Sequence, residues 1–216
     1  TMEYSYKFRL YPTKTQEQQI QRTFGCCRYL WNHYLAQRKA VYEVDGRTMN
    51  YYECSKDLTA LKKSLTWLKE VDATALQSSL RDLDTSFKNF FRRVKNGEKP
   101  GYPKFKSKKN QHQSYKSKCV GTNIKVLDKA VQLPKLGLVK CRISKEVKGR
   151  ILSSTVSQNS SGKYFVAINC TDVEMEPLSS TGAVVGLDMG LKSFAVTSNG
   201  VEYPNHKFLT KSLRKL

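Results

Sequence analysis

The chain is short of negative charge. Its 216 residues carry 18 Asp+Glu against 38 Lys+Arg, a formal net charge of +20. That excludes an ordinary acidic enzyme as the default reading and makes a polyanion the expected partner. Long apolar runs are also missing. No stretch reaches the ~18 apolar residues of a membrane-spanning helix, so no membrane partner is expected. The first residues, TMEYSYKFRLYP, have no apolar core of a secretory signal. None of the six cysteines (Cys26, Cys27, Cys54, Cys119, Cys141, Cys170) stands in a C-x-x-C pair, so no zinc site is visible in this segment. Without export signals they are expected to be free thiols, buried or half-buried. Scattered cysteines with His33 lack metal-ligand spacing. Apolar residues make up only 39%, below the usual ~45–50%, yet 11% aromatics and clear periodicity argue against disorder.

What is present is patterned. Residues 3–11 alternate Tyr4, Tyr6, Phe8 and Leu10 against Glu3, Ser5, Lys7 and Arg9, which predicts a strand with one buried face. Thr13 with Gln16, and Thr15 with Gln18, have capping-box spacing. Ile20, Phe24, Cys27, Trp31 and Leu35 then make one stripe on a helix running to about Val44. Asp45-Gly46 breaks it. Asn50 and Glu53 open a second helix with Leu58, Leu61 and Leu65, and residues 70–72 open a third. The third has a core face of Leu76, Leu80, Leu83, Phe87 and Phe90/Phe91, and a polar face of Thr74, Gln77, Ser78 and Arg81. Five short strands follow: 124–127, 130–133, 138–143, 151–158 and 163–169. Their spacing suggests a small antiparallel barrel. The first strand is too isolated to stand alone, so it is expected to join that barrel, making residues 13–97 a helical insertion. Residues 176–182 read as a linker. Val184–Asp188 is apolar and expected to be buried on both faces, Asn199-Gly200 is a hairpin turn, and Leu209, Leu213 and Leu216 begin a helical stripe on which the sequence stops.

Two features carry chemistry. Residues 88–118 hold Lys88, Arg92, Arg93, Lys95, Lys99, Lys104, Lys106, Lys108, Lys109, Lys116 and Lys118 against Glu98 alone, with Tyr102, Phe105 and Tyr115 interleaved. Cations neutralise phosphates and release counterions, and aromatic rings stack on unpaired bases. The bland alternative is a solvated charged loop. Asp188, in VVGLDMGLKSFAV, ends an apolar strand. It is either a ligand for a hard cation such as Mg²⁺ or a turn residue capping its own backbone. Two-metal phosphodiester hydrolysis needs several carboxylates, and Asp172, Glu174 and Glu176 nearby read as solvated charges.

The segments KFRLYPTKTQ, CCRYLWNHYLAQR, WLKEVDATALQSSLRDLDTSFKNFFRRVK, GYPKFKSK, LPKLGLVK and GLDMGLKSFAV together resemble the TnpB (OrfB) family of transposon-encoded RNA-guided nucleases, relatives of the type V CRISPR effectors. The resemblance runs from residue 3 to 216 in family order. It implies an α+β architecture: a wedge-like β-barrel (residues 1–12 and 98–178), a helical recognition insertion (13–97) and the incomplete start of an RNase H-like RuvC domain (183–216). It further implies a guide RNA in a basic channel, a double-stranded DNA target, and a prokaryotic, cytoplasmic, nucleoid-associated setting. Asp188 matches the family's first catalytic carboxylate, a Mg²⁺ ligand. Tyr51, Ser55, Thr74 and Gln77 fall where the family contacts the target-adjacent duplex, and Gln suits adenine. Ala73, Val120 and Gly121 are poor readers at such positions. The family's second and third acidic motifs and its paired C-x-x-C ribbon are absent from these residues, so cleavage is expected only with the remainder supplied, as a missing C-terminal half. A nuclease-dead RNA-guided binder or repressor, and a generic basic RNA-binding or transposition accessory protein, remain alternatives.

Overall fold

The structure is a computed structural model that describes residues 2–109, 112–174 and 179–214. The chain forms two compact units, Thr1–Glu174 and Met175–Leu216. The first unit holds strands β1 (Met2–Tyr11), β2 (Gln113–Lys118), β3 (Lys125–Val126), β4 (Ala130–Leu133), β5 (Gly137–Arg142), β6 (Arg150–Gln158) and β7 (Tyr164–Val173), and helices α1 (Lys14–Asp45), α2 (Tyr51–Ser64) and α3 (Ala73–Lys95). The second holds β8 (Leu187–Met189), β9 (Ser193–Thr197), β10 (Glu202–Pro204) and α4 (Phe208–Leu213).

Alternation in β1 buries Tyr6, Phe8 and Leu10. The strand lies mid-sheet, antiparallel to β7 on one side and β5 on the other, in the order β2-β6-β7-β1-β5-β4-β3. No ladder joins β2 to β3 among the described residues, so the seven strands form an open antiparallel sheet rather than a ring closed by hydrogen bonds. Gly149 precedes β6 at φ +84°, where a Cβ would stand 2.3 Å from the Thr171 carbonyl oxygen. Only glycine fits that approach.

The helices begin where their caps dictate. Gln16 N–H donates to Thr13 Oγ1 (3.3 Å), and Thr13 N–H donates to Gln16 Oε1 (3.0 Å). Gln16 Nε2 also reaches the carbonyls of Leu136 and Leu138, fastening the start of α1 to the β4–β5 turn. Asn50 and Glu53 form the reciprocal box of α2, and Asp72 caps α3. The stripe Ile20, Phe24, Cys27, Trp31 and Leu35 is buried, as are Leu76, Leu80, Leu83 and Phe87 of α3. Phe91 is 48% exposed, so the core face of α3 ends about one turn early. Arg38 of α1, 3% exposed, donates to Asp84 of α3 at 2.9 Å. Burial alone would raise the Asp84 carboxyl, but hydrogen bonds from Lys88 and Arg38 outweigh it and hold the group below the usual carboxylate range. Five of the cysteines are buried and Cys119 is half-buried, all of them free thiols. Burial pushes Cys26 and Cys141 up to about 11 and Cys27 to about 12, leaving them poor nucleophiles.

Three expectations are corrected. Residues 113–118, read as part of a basic connector, are strand β2. It pairs with β6 and buries Tyr115 against Phe24 (ring centroids 5.7 Å), so Tyr115 is not an exposed stacking platform on the basic segment. Ser78 is buried at 4%, not on the polar face of α3, because that flank of the helix packs into the core. Val184–Asp188 is exposed rather than buried: Val184 is 94% and Leu187 59% accessible, and Ala195 is the only buried residue of its unit among those described. Among the described residues of that unit, the three-stranded sheet β10-β9-β8 has no apolar layer over it. The Asn199-Gly200 turn forms as read, with Gly200 at φ +85°. Residues 176–178 of the expected linker, including Glu176, and Leu216 of the terminal stripe lie outside the described residues.

Candidate nucleic-acid interface

Strand register decides which side chains share the outer face of the large sheet. Arg9 stands opposite Phe165 on one side and Arg142 on the other. In the next row Lys116, Thr155, Ala167 and Lys7 are successive partners. In the row after that come Lys118, Ser153, Asn169 and Ser5. Tyr11 faces Lys140. Lys7 Nζ lies 5.0 Å and the Arg9 guanidinium carbon 5.2 Å from the Phe165 ring centroid, and Arg9 is 5.5 Å from Tyr11. Such contacts hold a cation in place without neutralising it. Among the described residues, no carboxylate lies within ion-pair distance of Lys7, Arg9, Lys116, Lys118, Lys140 or Arg142. Of these, only Lys116 and Lys118 were singled out from the sequence. The signal for Lys7 and Arg9 was the same alternation that revealed the core side of β1.

The rest of the basic segment divides into two parts. At the end of α3, Lys88 pairs with Asp84 (3.0 Å), and Arg92 and Arg93 lie 3.6 and 4.0 Å from Glu98. These three cations are thus partly neutralised internally. Lys95 is exposed and unpaired among the described residues. Tyr102 sets its ring edge-on to Phe87 and Phe90 at 5.7 and 5.3 Å, so it anchors the segment while remaining 46% exposed. Residues 98–109 then run as a strap over α1. Trp31 Nε1 donates to the Lys104 carbonyl (2.9 Å), and the Asn32 amide makes both hydrogen bonds of the Lys106 backbone (2.9 and 2.8 Å). Lys106 Nζ sits 3.8 Å from the centroid of a Trp31 ring. Burial lowers the Lys106 ammonium, and Asp82 and Cys27 partly restore it. Lys99, Lys104, Phe105, Lys108 and Lys109 are exposed.

The four expected base readers do not share one fate. Tyr51 and Ser55 are one turn apart on α2, and Thr74 and Gln77 lie near the start of α3. Arg81, one turn past Gln77, lays its guanidinium 4.3 Å from the Tyr51 ring centroid, which brings the two helices' polar faces together. The Gln77 amide is exposed and makes no hydrogen bond to the described residues. The Thr74 hydroxyl is engaged: it donates to Asp72 (2.6 Å) and accepts from Lys118 N–H (3.0 Å). Thr74 therefore clamps α3 to β2 and has no donor left for a base. Arg81 is the residue that the sequence reading left out of the set.

Asp188 sits in β8 opposite Val196, exposed. Among the described residues no group of three His, Cys, Asp or Glu side chains could hold a metal ion. Asp172, read as a linker charge, belongs to β7 and pairs with Arg150 at 3.5 Å.

These parts define an α+β scaffold with an open antiparallel sheet whose outer face is cationic and aromatic, beside a helical face presenting an amide and a guanidinium: a surface complementary to a polyanion. Residues 2–47 match a family model described as a helix-turn-helix domain, of the OrfB/IS605 type. In this structure that span is β1 followed by the single long helix α1. Across 98% of its length the chain is 31% identical to InsQ of Escherichia coli (strain K12), named as a candidate RNA-guided DNA endonuclease, covering 51% of that protein. It is 33% identical over 94% of its length to a protein of Streptomyces pristinaespiralis named in the same way, covering 50% of it. A Salmonella dublin virulence protein, VsdF, is 31% identical over 39% of the chain and 79% of its own length. A Cas12f1 chain, solved in complex with sgRNA and target DNA, aligns with all of this chain and 59% of its own at 15% identity and a TM-score of 0.35, too distant to bear on the fold. The chain belongs to the TnpB (OrfB) family. It spans about half the length of the first two relatives.

Proposed function

We propose that this chain is the nucleic-acid-binding portion of an RNA-guided DNA endonuclease. The observation that carries the reading is the run of unpaired cations with interleaved rings across β1, β2, β5 and β7 and the exposed strap. Phosphates bind cations and release counterions, while exposed rings accept unpaired bases. The names of the two long relatives support the class. In this reading residues 1–12 and 98–178 form a wedge-like body that holds guide RNA, and residues 13–97 approach double-stranded target DNA. Gln77, Arg81 and Tyr51 read bases next to the target, with Ser55 beside them. Residues 183–216 begin a RuvC-like domain in which Asp188 supplies one Mg²⁺ ligand. A single carboxylate supports no two-metal step. For that reason binding without cutting, as in a guided repressor, is the second reading for the described residues.

The test is the RNA that co-purifies with the chain. One defined transcript class is expected, and a random RNA population would overturn guide use. Gln77→Ala should change the preferred target-adjacent sequence and leave RNA affinity intact; equal loss on every duplex would end its reading role. With the other half of the family's length added in trans, Mg²⁺-dependent cleavage should appear and vanish on Asp188→Ala.

A further inference from the structure

A half-open cleft of about 120 Å³ lies where α1, α3, the strap and β2 meet. Its shape and chemistry are unlike those of the open cationic face. Phe24 and Tyr115 line it, their rings edge to face at 5.7 Å. The Asp82 carboxylate stands on its α3 wall with no hydrogen bond or ion pair to any described residue. Burial raises the Asp82 carboxyl, opposed by Lys106 and Lys116, which line the same cleft.

The exposed edge of β2 adds directed groups. Cys119 N–H donates to the Leu152 carbonyl (2.9 Å), whereas Lys118 N–H turns away from β6 to Thr74 (3.0 Å). In an antiparallel ladder the bonded residues alternate. Ser114 and Lys116, in step with Lys118, therefore direct their N–H and C=O away from β6, on the side where α3 lies. Both residues line the cleft, and no described residue takes up those groups. A cleft with an unpartnered carboxylate, free main-chain donors and acceptors and apolar walls suits a flat heterocycle rather than a bare anion. At about 120 Å³ it is smaller than the ~150 Å³ apolar cavity that accommodates benzene, and because it is half-open it takes a single ring with part of that ring left in solvent.

We propose that this cleft takes a single unpaired cytosine from a nucleic-acid strand, its 4-amino group donating to Asp82 and its backbone phosphate drawn by Lys106 and Lys116. Carboxylates accept from the cytosine amine. Uracil would set a carbonyl against the carboxylate, acceptor facing acceptor, at the cost of two unmet groups. Purines carry a second ring. The inference rests on the nucleic-acid-binding reading above and adds to it a base-selective subsite.

The experiment is fluorescence anisotropy with the whole chain on a short uridine homopolymer and on the same strand with one central cytidine, in ribo and deoxy versions to tell an RNA strand from a DNA strand. The cytidine strand should bind about tenfold more tightly. Asp82→Leu should abolish the difference between the strands, chiefly by weakening the cytidine strand, while the uridine strand gains slightly from the lost negative charge. On the unaltered protein, pyrimidin-2-one in place of cytosine, which lacks the amino group, should abolish it too, whatever the fate of the variant's fold. Equal affinity for the uridine and cytidine strands, or a preference that survives either change, overturns the cytosine site alone. No binding to any strand overturns the nucleic-acid-binding reading along with it.

Discussion

Strand β7 and the segment leading into β8 have similar apolar character and opposite outcomes. In β7, Val166, Ile168 and Cys170 are buried in the apolar core, with Val166 and Ile168 at 0% exposure. Val184, Val185 and Leu187 stand open in their unit. The difference is not propensity. β7 has strands on both sides, and its inward residues belong to one buried apolar core with residues of α1, α2 and α3. β8 is the edge of a three-stranded sheet, paired with β9 alone, and among the described residues of its unit no layer covers that sheet. An apolar run states a demand for burial; whether the demand is met depends on what packs against it.

The contrast can be broken most forcefully at the ties that hold the helices over the sheet. Asp84→Ala leaves Arg38 charged and buried at 3% exposure, and removing one partner of a buried pair costs about 3–5 kcal/mol. Chemical denaturation should register that loss in the first unit. The same pair predicts acid sensitivity. The folded Asp84 carboxyl is held below its ordinary value, so its stabilisation is present above the unfolded value of ~3.9 and fades as pH falls through the folded one. Asp84→Asn should flatten that acid limb, and an unchanged limb would show that the ion pair contributes nothing. Gly149→Ala comes next. It forces a positive φ on a side chain and a 2.3 Å approach to a carbonyl oxygen, and strain of that kind is worth about 1–3 kcal/mol. Wild-type stability for this variant would show that the β6–β7 end can yield.

Periodicity makes most of the first unit legible in the sequence. The stripes of α1 and α3, the capping pairs Thr13/Gln16 and Asn50/Glu53, and the burial side of β1 are local consequences of sequence. β2 was not legible, for a physical reason. Its sequence QSYKSK has one apolar residue, and its second inward position is Ser117, whose Oγ is buried without a hydrogen-bond partner. Only pairing with β6 makes it a strand. The candidate site divides in the same way. A list of cations could be read off residues 88–118, but their partners could not. Asp84 and Glu98 take up Lys88, Arg92 and Arg93, while Lys7 and Arg9, far away in sequence, join Lys116 through the sheet register. Arg81 became a candidate only once α2 carried Tyr51 beneath it.

The outer sheet face gives the next smaller effect. Lys7→Ala, Arg9→Ala and Lys116→Ala each remove a cation that has no carboxylate partner among the described residues. If these side chains meet phosphates, each should weaken binding to all sequences alike and reduce the salt slope by about one. Lys88→Ala, whose charge is already paired with Asp84, should change the slope less. Equal slopes for Lys88→Ala and Arg9→Ala would refute the division into neutralised and free cations.

The smallest effect is the sharpest statement of the opening contrast. Ile168→Ala in β7 removes a fully buried side chain, for which about 2–5 kcal/mol is expected. Val184→Ser removes an apolar side chain that is 94% exposed, and an exposed substitution of this kind should stay within about 0.5 kcal/mol. Measured side by side by denaturant unfolding of this chain, the two should differ by several-fold although both delete a β-branched apolar residue. If Val184→Ser proved as costly as Ile168→Ala, Val184 would have to be covered in solution, and the second unit's apolar residues would be core rather than surface. If it proved neutral, those residues contribute nothing to the stability of the chain described here, and their apolar character would need a reason other than the packing of their own unit.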